Sequence, residues 1–297
     1  MKVDWQGVFP AVTTQFREDR SIDLEATATH IAWLIDTGVH GLIMLGTCGE
    51  NCSLEPEEKR DLLRLAKEIA AGRVPVLAGV AECRTEQACR FAADAEAIGI
   101  DGLMVLPAMV YAADNREAIA HFRQVARASR LPIMIYNNPI AYKVDLKPAG
   151  FAELADEPSI VAIKESSDDV RRVTDLINVV GDRYVLFCGV DDLALESAML
   201  GVVGWVSGLV NVFPEETMAI WRAIAARRWE DALPIYRWFM PLLHLDTEVK
   251  LVQNIKLAQA LVGRGSERMR LPRLELEGAE RARVERLVAE ALANRPR

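Results

Sequence analysis

Nowhere does the chain run for about 18 apolar residues without a charge, the length a bilayer-spanning helix requires, so no transmembrane segment is expected. The N-terminal MKVDWQGVF has no long apolar core of the secretion-signal type, because Asp4 and Gln6 interrupt it. Cysteine is sparse: Cys48, Cys52, Cys83, Cys89 and Cys188 make an odd count, and no two are spaced CxxC. That pattern excludes a disulfide framework and fits a reduced, cytoplasmic setting. Cys48 and Cys52 have no histidine near them, which makes a poor metal site. The four histidines, His30, His40, His121 and His244, fall on helices or loop starts and read as structural or surface residues. Basic residues are in deficit, and a net charge of −8 argues against a nucleic-acid or anionic-membrane partner. No GxGxxG follows the first apolar run, so the dinucleotide-binding fingerprint is missing.

What is present is a regular alternation. The 297 residues are 51% hydrophobic and 26% charged, as expected of a globular enzyme. Short apolar runs occur at Val8–Val12, Gly41–Leu45, Val74–Gly79, Gly102–Leu106, Pro132–Tyr136, Ile160–Lys164, Tyr184–Cys188 and Gly204–Ser207. Between them lie amphipathic segments at helical spacing, among them Asp23–Thr37, Pro56–Ala71, Thr85–Ile98, Arg116–Ser129 and Asp168–Val180. Asp23, Pro56 and the Asp168-Asp169 pair are helix-start chemistry, while Gly38, Gly72, Gly99 and Gly181 sit where helices should stop. Unbroken apolar strands alternating with helices imply a parallel sheet covered on both faces. Eight such units predict a (β/α)8 TIM barrel over residues 1–227 rather than a doubly wound sheet.

Beyond about residue 228 the strands stop. Trp229–His244, Thr247–Val262 and Gly278–Ala293 predict a three-helix C-terminal extension over 228–297. Its RWFMPLLHL stretch is too apolar for one exposed helix, so it should pack on the barrel or on another subunit.

In such barrels chemistry sits at the carboxyl ends of the strands. Few residues there carry reactive groups. Lys164 ends the run Ile160-Val161-Ala162-Ile163, so its amine is anchored in the barrel mouth. Poor solvation there lowers an ammonium pKa and exposes a nucleophile, which imine formation with a ketone needs. The plainer alternative is a lysine paired with Glu165. Tyr136 ends the neighbouring strand, about 4.8 Å away, and a phenol there can shuttle protons; its alternative role is an amphipathic cap on the core. The turn Gly46-Thr47-Cys48-Gly49 offers backbone N–H groups and the Thr47 hydroxyl to a small anion such as a substrate carboxylate, or is merely a tight turn. Gly189, Asp191 and Asp192 follow strand 7; the two aspartates either bind a substrate hydroxyl or cap the next helix.

Taken in order, GVFPAVTTQF, GTCGE, YNNP, IKES and GVDD resemble the dihydrodipicolinate synthase / N-acetylneuraminate lyase family over nearly the whole chain. The resemblance implies a (β/α)8 barrel with a helical extension, usually assembled as a homotetramer, a dimer of dimers. It implies a Schiff base between Lys164 and C2 of pyruvate or a longer 2-oxo acid, with no metal or organic cofactor. It assigns proton handling to Tyr136 and carboxylate binding to Thr47 and Cys48. A metal-dependent aldolase would need histidine and carboxylate ligands at strand ends, and a barrel kept only for binding would not need both Lys164 and Tyr136.

The chain also departs from the synthases of that family. Cys48 stands where they carry a second hydroxyl. Met109, in LPAMVY, stands where they place a tyrosine lent across the dimer, leaving Tyr111 as a displaced candidate. Ala141, in YNNPIAYK, stands where an arginine binds their second substrate's carboxylate. The sequence therefore looks closer to catabolic branches: aldolases and dehydratases of 2-keto-3-deoxy sugar acids, or the deaminase of 1-pyrroline-4-hydroxy-2-carboxylate in hydroxyproline breakdown. The pocket expected for the substrate tail is lined by Met109, Ala141, Tyr142, Asp191, Ser207 and Asn211, and its character suits a compact neutral tail.

Overall fold

A computed structural model describes residues 1–296; the last residue of the expected extension, Arg297, lies outside them. Eight parallel strands run β1 (Gly7–Pro10), β2 (Leu42–Met44), β3 (Val76–Val80), β4 (Gly102–Val105), β5 (Ile133–Asn137), β6 (Ile160–Glu165), β7 (Val185–Cys188) and β8 (Gly204–Ser207). Their order is β1-β8-β7-β6-β5-β4-β3-β2, and a parallel bridge from Ala11 to Ile43 joins the two ends. The sheet is a barrel, as the alternation predicts. Phe9 and Phe187 meet inside it with ring centroids 5.1 Å apart, so the interior is packed and not a pore.

The outer helices include α1 (Leu24–Asp36), α2 (Pro56–Ala70), α3 (Thr85–Ile98) and α4 (Asn115–Ala128). Asp23 caps α1 by accepting from Ala26 N, and Gly99 ends α3 in the left-handed region. Two short helices lie between β5 and β6 where the periodicity predicts none: α5 (Pro139–Tyr142), capped by Asn138, and α6 (Pro148–Glu153). The helix expected from Asp168 starts later, as α7 (Arg171–Val180). Asp168 takes φ 57°, and the Asp169 carboxylate accepts from Arg171 N at 3.1 Å, so these aspartates form the turn before the helix. Helices α8 (Ala194–Met199) and α9 (Pro214–Ala225) complete the ring.

Three more helices follow: α10 (Trp229–Leu243), α11 (Leu251–Leu261) and α12 (Gly278–Ala293). Phe239, Leu242, Leu243 and Leu245 are fully buried, and Trp238 Nε1 donates to Ala291 O of α12 at 3.1 Å. The apolar stretch thus packs against α9 and α12 of its own chain; each such side chain contributes about 1.5–3 kcal/mol by leaving water.

A buried polar network stitches α1, α11 and the turn after β8 together. His30, 3% exposed, donates from Nε2 to Asn211 Oδ1 at 2.8 Å and accepts at Nδ1 from Gln259 Nε2 at 3.2 Å. The tautomer follows from Asn211, whose amide nitrogen already donates to Ala11 O and Gly208 O. Burial lowers the His30 pKa from 6.5 to about 4. A base whose folded pKa is depressed gives stability above its unfolded pKa and loses it as pH falls toward the folded one. Between pH 6.5 and 4 this histidine should cost about 3 kcal/mol of stability. Denaturant unfolding of wild type and His30→Gln across that window should show a flatter pH slope in the variant; equal slopes would contradict the assignment.

Candidate active site

At the carboxyl end of the barrel lies a cavity of about 380 Å³, within the small-molecule range. Lys164 reaches it from β6, where register pairs it directly with Tyr136 of β5. The amine lies 3.8 Å from the centroid of the Tyr136 ring, on its face, and the residue is 5% exposed. Gly189, at the end of β7, makes room for it: a Cβ there would lie 2.5 Å from Lys164 Cε. Burial lowers the Lys164 pKa, opposed by the neighbouring Asp246 carboxyl group. The pairing with Glu165 does not form, because adjacent strand residues face opposite sides of a sheet. Glu165 instead accepts from Asn137 Nδ2 at 3.0 Å and from Ser167 N at 2.8 Å.

Tyr136 accepts at its hydroxyl from Asn138 Nδ2 at 3.0 Å, and burial pushes its phenol up, so it holds its proton at neutral pH. The Thr47 hydroxyl bonds to the Tyr142 hydroxyl, and the Tyr142 ring stands edge-on to Tyr136 at 5.7 Å between centroids. A tyrosine from α5 therefore occupies the ground between Thr47 and Tyr136. Tyr111 does not: it is 57% exposed. Burial also pushes up the Cys48 thiol, which keeps it neutral. The amides of Thr47 and Cys48 have no intramolecular acceptor among the described residues, so they stay free to bind an anion.

Of the residues singled out in the sequence, Gly46, Thr47, Cys48, Tyr136, Ala141, Lys164 and Gly189 line the cavity, and Tyr142 joins them through Thr47. Gly49, Met109, Asp191, Ser207 and Asn211 do not line it, and neither do Tyr111 and Asp192. Gly49 packs on the Leu45 backbone and accepts from Thr14 Oγ1 at 2.8 Å. Met109, in the loop after β4, is tied to the loop after β3, its N–H donating to Glu82 O at 3.2 Å. Asp191 is fully buried under the site, accepting from Trp205 Nε1 (2.8 Å), Ser207 Oγ (3.1 Å) and Leu209 N (2.8 Å), with its pKa pushed up to about 6 by burial. Ser207 is spent on that bond and on Val210 N, and Asn211 on the His30 network. Together they brace the turn after β8, a structural use of strand-end polar groups that sequence position alone cannot separate from binding.

The charged residues of the cavity wall depart from the neutral tail pocket expected. Asp168, Asp246 and Glu248 line it, with Lys143 at the rim holding Ile140 O at 2.8 Å. Asp246 and Glu248 come from the link between α10 and α11, and nothing in a barrel pattern announces that this link returns to the mouth. Among the described residues no helix is long and apolar enough to cross a membrane.

A closed barrel holding a buried amine against a phenol at its catalytic end marks an enzyme of the aldolase-type lyase class. The chain belongs to the dihydrodipicolinate synthetase family, whose profile matches residues 4–291. It is 33% identical over 284 residues to the 4-hydroxy-tetrahydrodipicolinate synthase of Methanosphaerula palustris, covering 94% of this chain and 96% of that one. With the synthase of the same name from Acidobacterium capsulatum it shares 34% over 290 residues, covering 97% and 96%. Among solved structures, YagE, a prophage protein of this family from E. coli K12 in complex with pyruvate, superposes with a TM-score of 0.91 at 28% identity, covering 98% of this chain and 99% of that one.

Proposed function

We propose that this lyase condenses Lys164 with C2 of a small 2-oxo acid or cyclic imine and uses the imine to break a bond further along the substrate. The observation that carries this reading is the Lys164 amine lying buried on the Tyr136 ring inside the cavity. The substrate carboxylate binds the Thr47 and Cys48 amides and the Thr47 hydroxyl, which Tyr142 orients. That places C2 at the Lys164 nitrogen. The neutral amine attacks C2, and Tyr136 gives its proton to the group that leaves C2 as the C2–N double bond to Lys164 forms: the carbinolamine oxygen of a 2-oxo acid, which departs as water, or the ring nitrogen of a cyclic imine, which departs as the amine. The protonated imine then draws electrons from C3, and aldol cleavage, dehydration or deamination follows. The chemistry needs no metal or organic cofactor.

Within this class we favour the catabolic reactions, on 2-keto-3-deoxy sugar acids or 1-pyrroline-4-hydroxy-2-carboxylate. Ala141 supplies no cation for a second carboxylate, and three acidic residues, Asp168, Asp246 and Glu248, line the cavity. The relatives named 4-hydroxy-tetrahydrodipicolinate synthase favour the other reading, and Lys143 is the cation that reading would use. We also place the enzyme in the cytoplasm as a homotetramer. Exposed Ile177, Val179, Met199 and Val203 support burial against another subunit, which sedimentation analysis checks.

The test of the central reading is covalent. Borohydride added in the presence of pyruvate should leave a reduced adduct on Lys164, found by mass spectrometry of the digested protein. Absence of an adduct with every 2-oxo acid offered overturns it, and turnover abolished by EDTA points to metal chemistry instead.

A further inference from the structure

Between α10 and α11 the chain makes a tight turn, His244–Asp246, that packs on the turn Asp191–Leu193 after β7. It is pinned from both sides: His244 Nδ1 meets Asp192 Oδ2 at 2.7 Å, and Asn254 Nδ2 donates to Leu245 O at 3.2 Å. The Asp246 carboxylate is thereby held over the end of β8, lining the same cavity as Lys164. Gly208 leaves the space it occupies, since a Cβ there would come within 2.3 Å of Asp246 Oδ1. The Ser166 hydroxyl, two residues beyond Lys164 and 2% exposed, lies beside the Tyr136 hydroxyl, where its hydrogen bond favours the phenolate.

We propose that Asp246 is a catalytic acid that protonates a hydroxyl on C4 of the substrate, so that the enzyme dehydrates 2-oxo acids, or their cyclic imines, bearing a C4 hydroxyl. This rests on the Lys164 imine. The imine activates the C4 substituent because loss of a C3 proton gives an enamine whose electron pair can expel it. Tyr136, deprotonated when it gave its proton to the oxygen or ring nitrogen leaving C2, takes the C3 proton. The C2–C3 pair of the enamine then forms a C3–C4 double bond as the C4–O bond breaks, and Asp246 gives its proton to the leaving oxygen, which departs as water. Hydrolysis at C2 releases Lys164, and solvent returns the proton to Asp246. Burial, with Asp191 and Asp192 adding negative charge, raises the Asp246 pKa well above the ordinary carboxylate range, while Lys164 opposes this; the group is thus stocked with the proton the step needs.

The experiment compares the full-length protein with Asp246→Asn. Pyruvate, which has no C4, is used for borohydride trapping, and 4,5-dihydroxy-2-oxopentanoate and 1-pyrroline-4-hydroxy-2-carboxylate are used for turnover by NMR. Asp246→Asn should trap pyruvate on Lys164 within about two-fold of wild type, which also shows that the mouth is folded. Its turnover should fall roughly 10²- to 10⁴-fold, the range general acid catalysis supplies. Turnover within three-fold of wild type with trapping intact overturns the role of Asp246. So does loss of trapping in the variant alone, which would assign Asp246 to imine formation. Release of pyruvate and an aldehyde by the wild type, or no reaction with either C4-hydroxylated substrate, overturns the dehydration. Failure of the wild type itself to trap pyruvate overturns the imine reading and this one with it.

Discussion

Lys164→Ala should lower turnover on the order of 10⁴-fold or more, equivalent to about 5.5 kcal/mol of lost transition-state stabilisation. It should do so without loss of fold, and with no borohydride adduct anywhere in the chain. The size follows from covalent catalysis: without the amine there is no imine, and without the imine no electron sink at C2. Binding should survive in part, because the Thr47 and Cys48 amides proposed to hold the carboxylate are untouched. A pyruvate affinity within about ten-fold of wild type, measured by calorimetry, is the expected companion. Lys164→Arg should be equally inactive, since a guanidinium stays protonated and is no nucleophile. Substantial activity in either variant would mean that Lys164 only neutralises charge at the mouth.

The second large effect is on stability. Glu50, last residue of GTCGE, and Lys256 of α11 form a fully buried ion pair at 2.8 Å. Lys256 also donates to Thr14 O at 2.9 Å and lies 4.5 Å from the Phe16 ring centroid, while Glu50 accepts from Arg270 N at 3.1 Å. The pair ties the helical extension to the loop that carries Thr47 and Cys48. Breaking such a pair strands the remaining charge in a dry site, so Lys256→Met should cost about 3–5 kcal/mol. For a chain of this size that is a fall in Tm of roughly 10 °C. Changing Glu50→Gln and Lys256→Met together should cost less than the sum of the two, because no charge is then left buried alone. Calorimetric unfolding of the three variants checks this; a Lys256→Met variant within 1 kcal/mol of wild type would show that water reaches the pair.

Much of the barrel was legible in the chain because each βα unit is a local statement. A short apolar run is a strand buried on both faces, and the amphipathic segment after it has its own cap and stop, as Asp23 and Gly99 show for α1 and α3. Lys164 and Tyr136 were legible for the same reason: a parallel barrel sets neighbouring strand ends side by side, and the register pairs them. Polar groups at strand ends were harder to sort. Asp191, Ser207 and Asn211 have the right positions and residue types for binding, yet their hydrogen bonds run inward to Trp205, Leu209 and His30. Whether a polar side chain faces substrate or braces a turn depends on partners up to 200 residues away in the chain, as for Asn211 and Ala11.

The sequence by itself determined the alternation that makes a barrel, the amine and the phenol at its mouth, and the Gly46–Gly49 turn beside them. Only the tertiary structure decided which residues close the site. Tyr142 reaches Thr47 because α5 forms where no helical periodicity signals it, and Asp246 reaches the cavity because the extension folds back over β8. Local pattern encodes which face of an element is apolar. It does not encode where a polar link between two helices comes to rest, because that is set by long-range packing of the helices it joins.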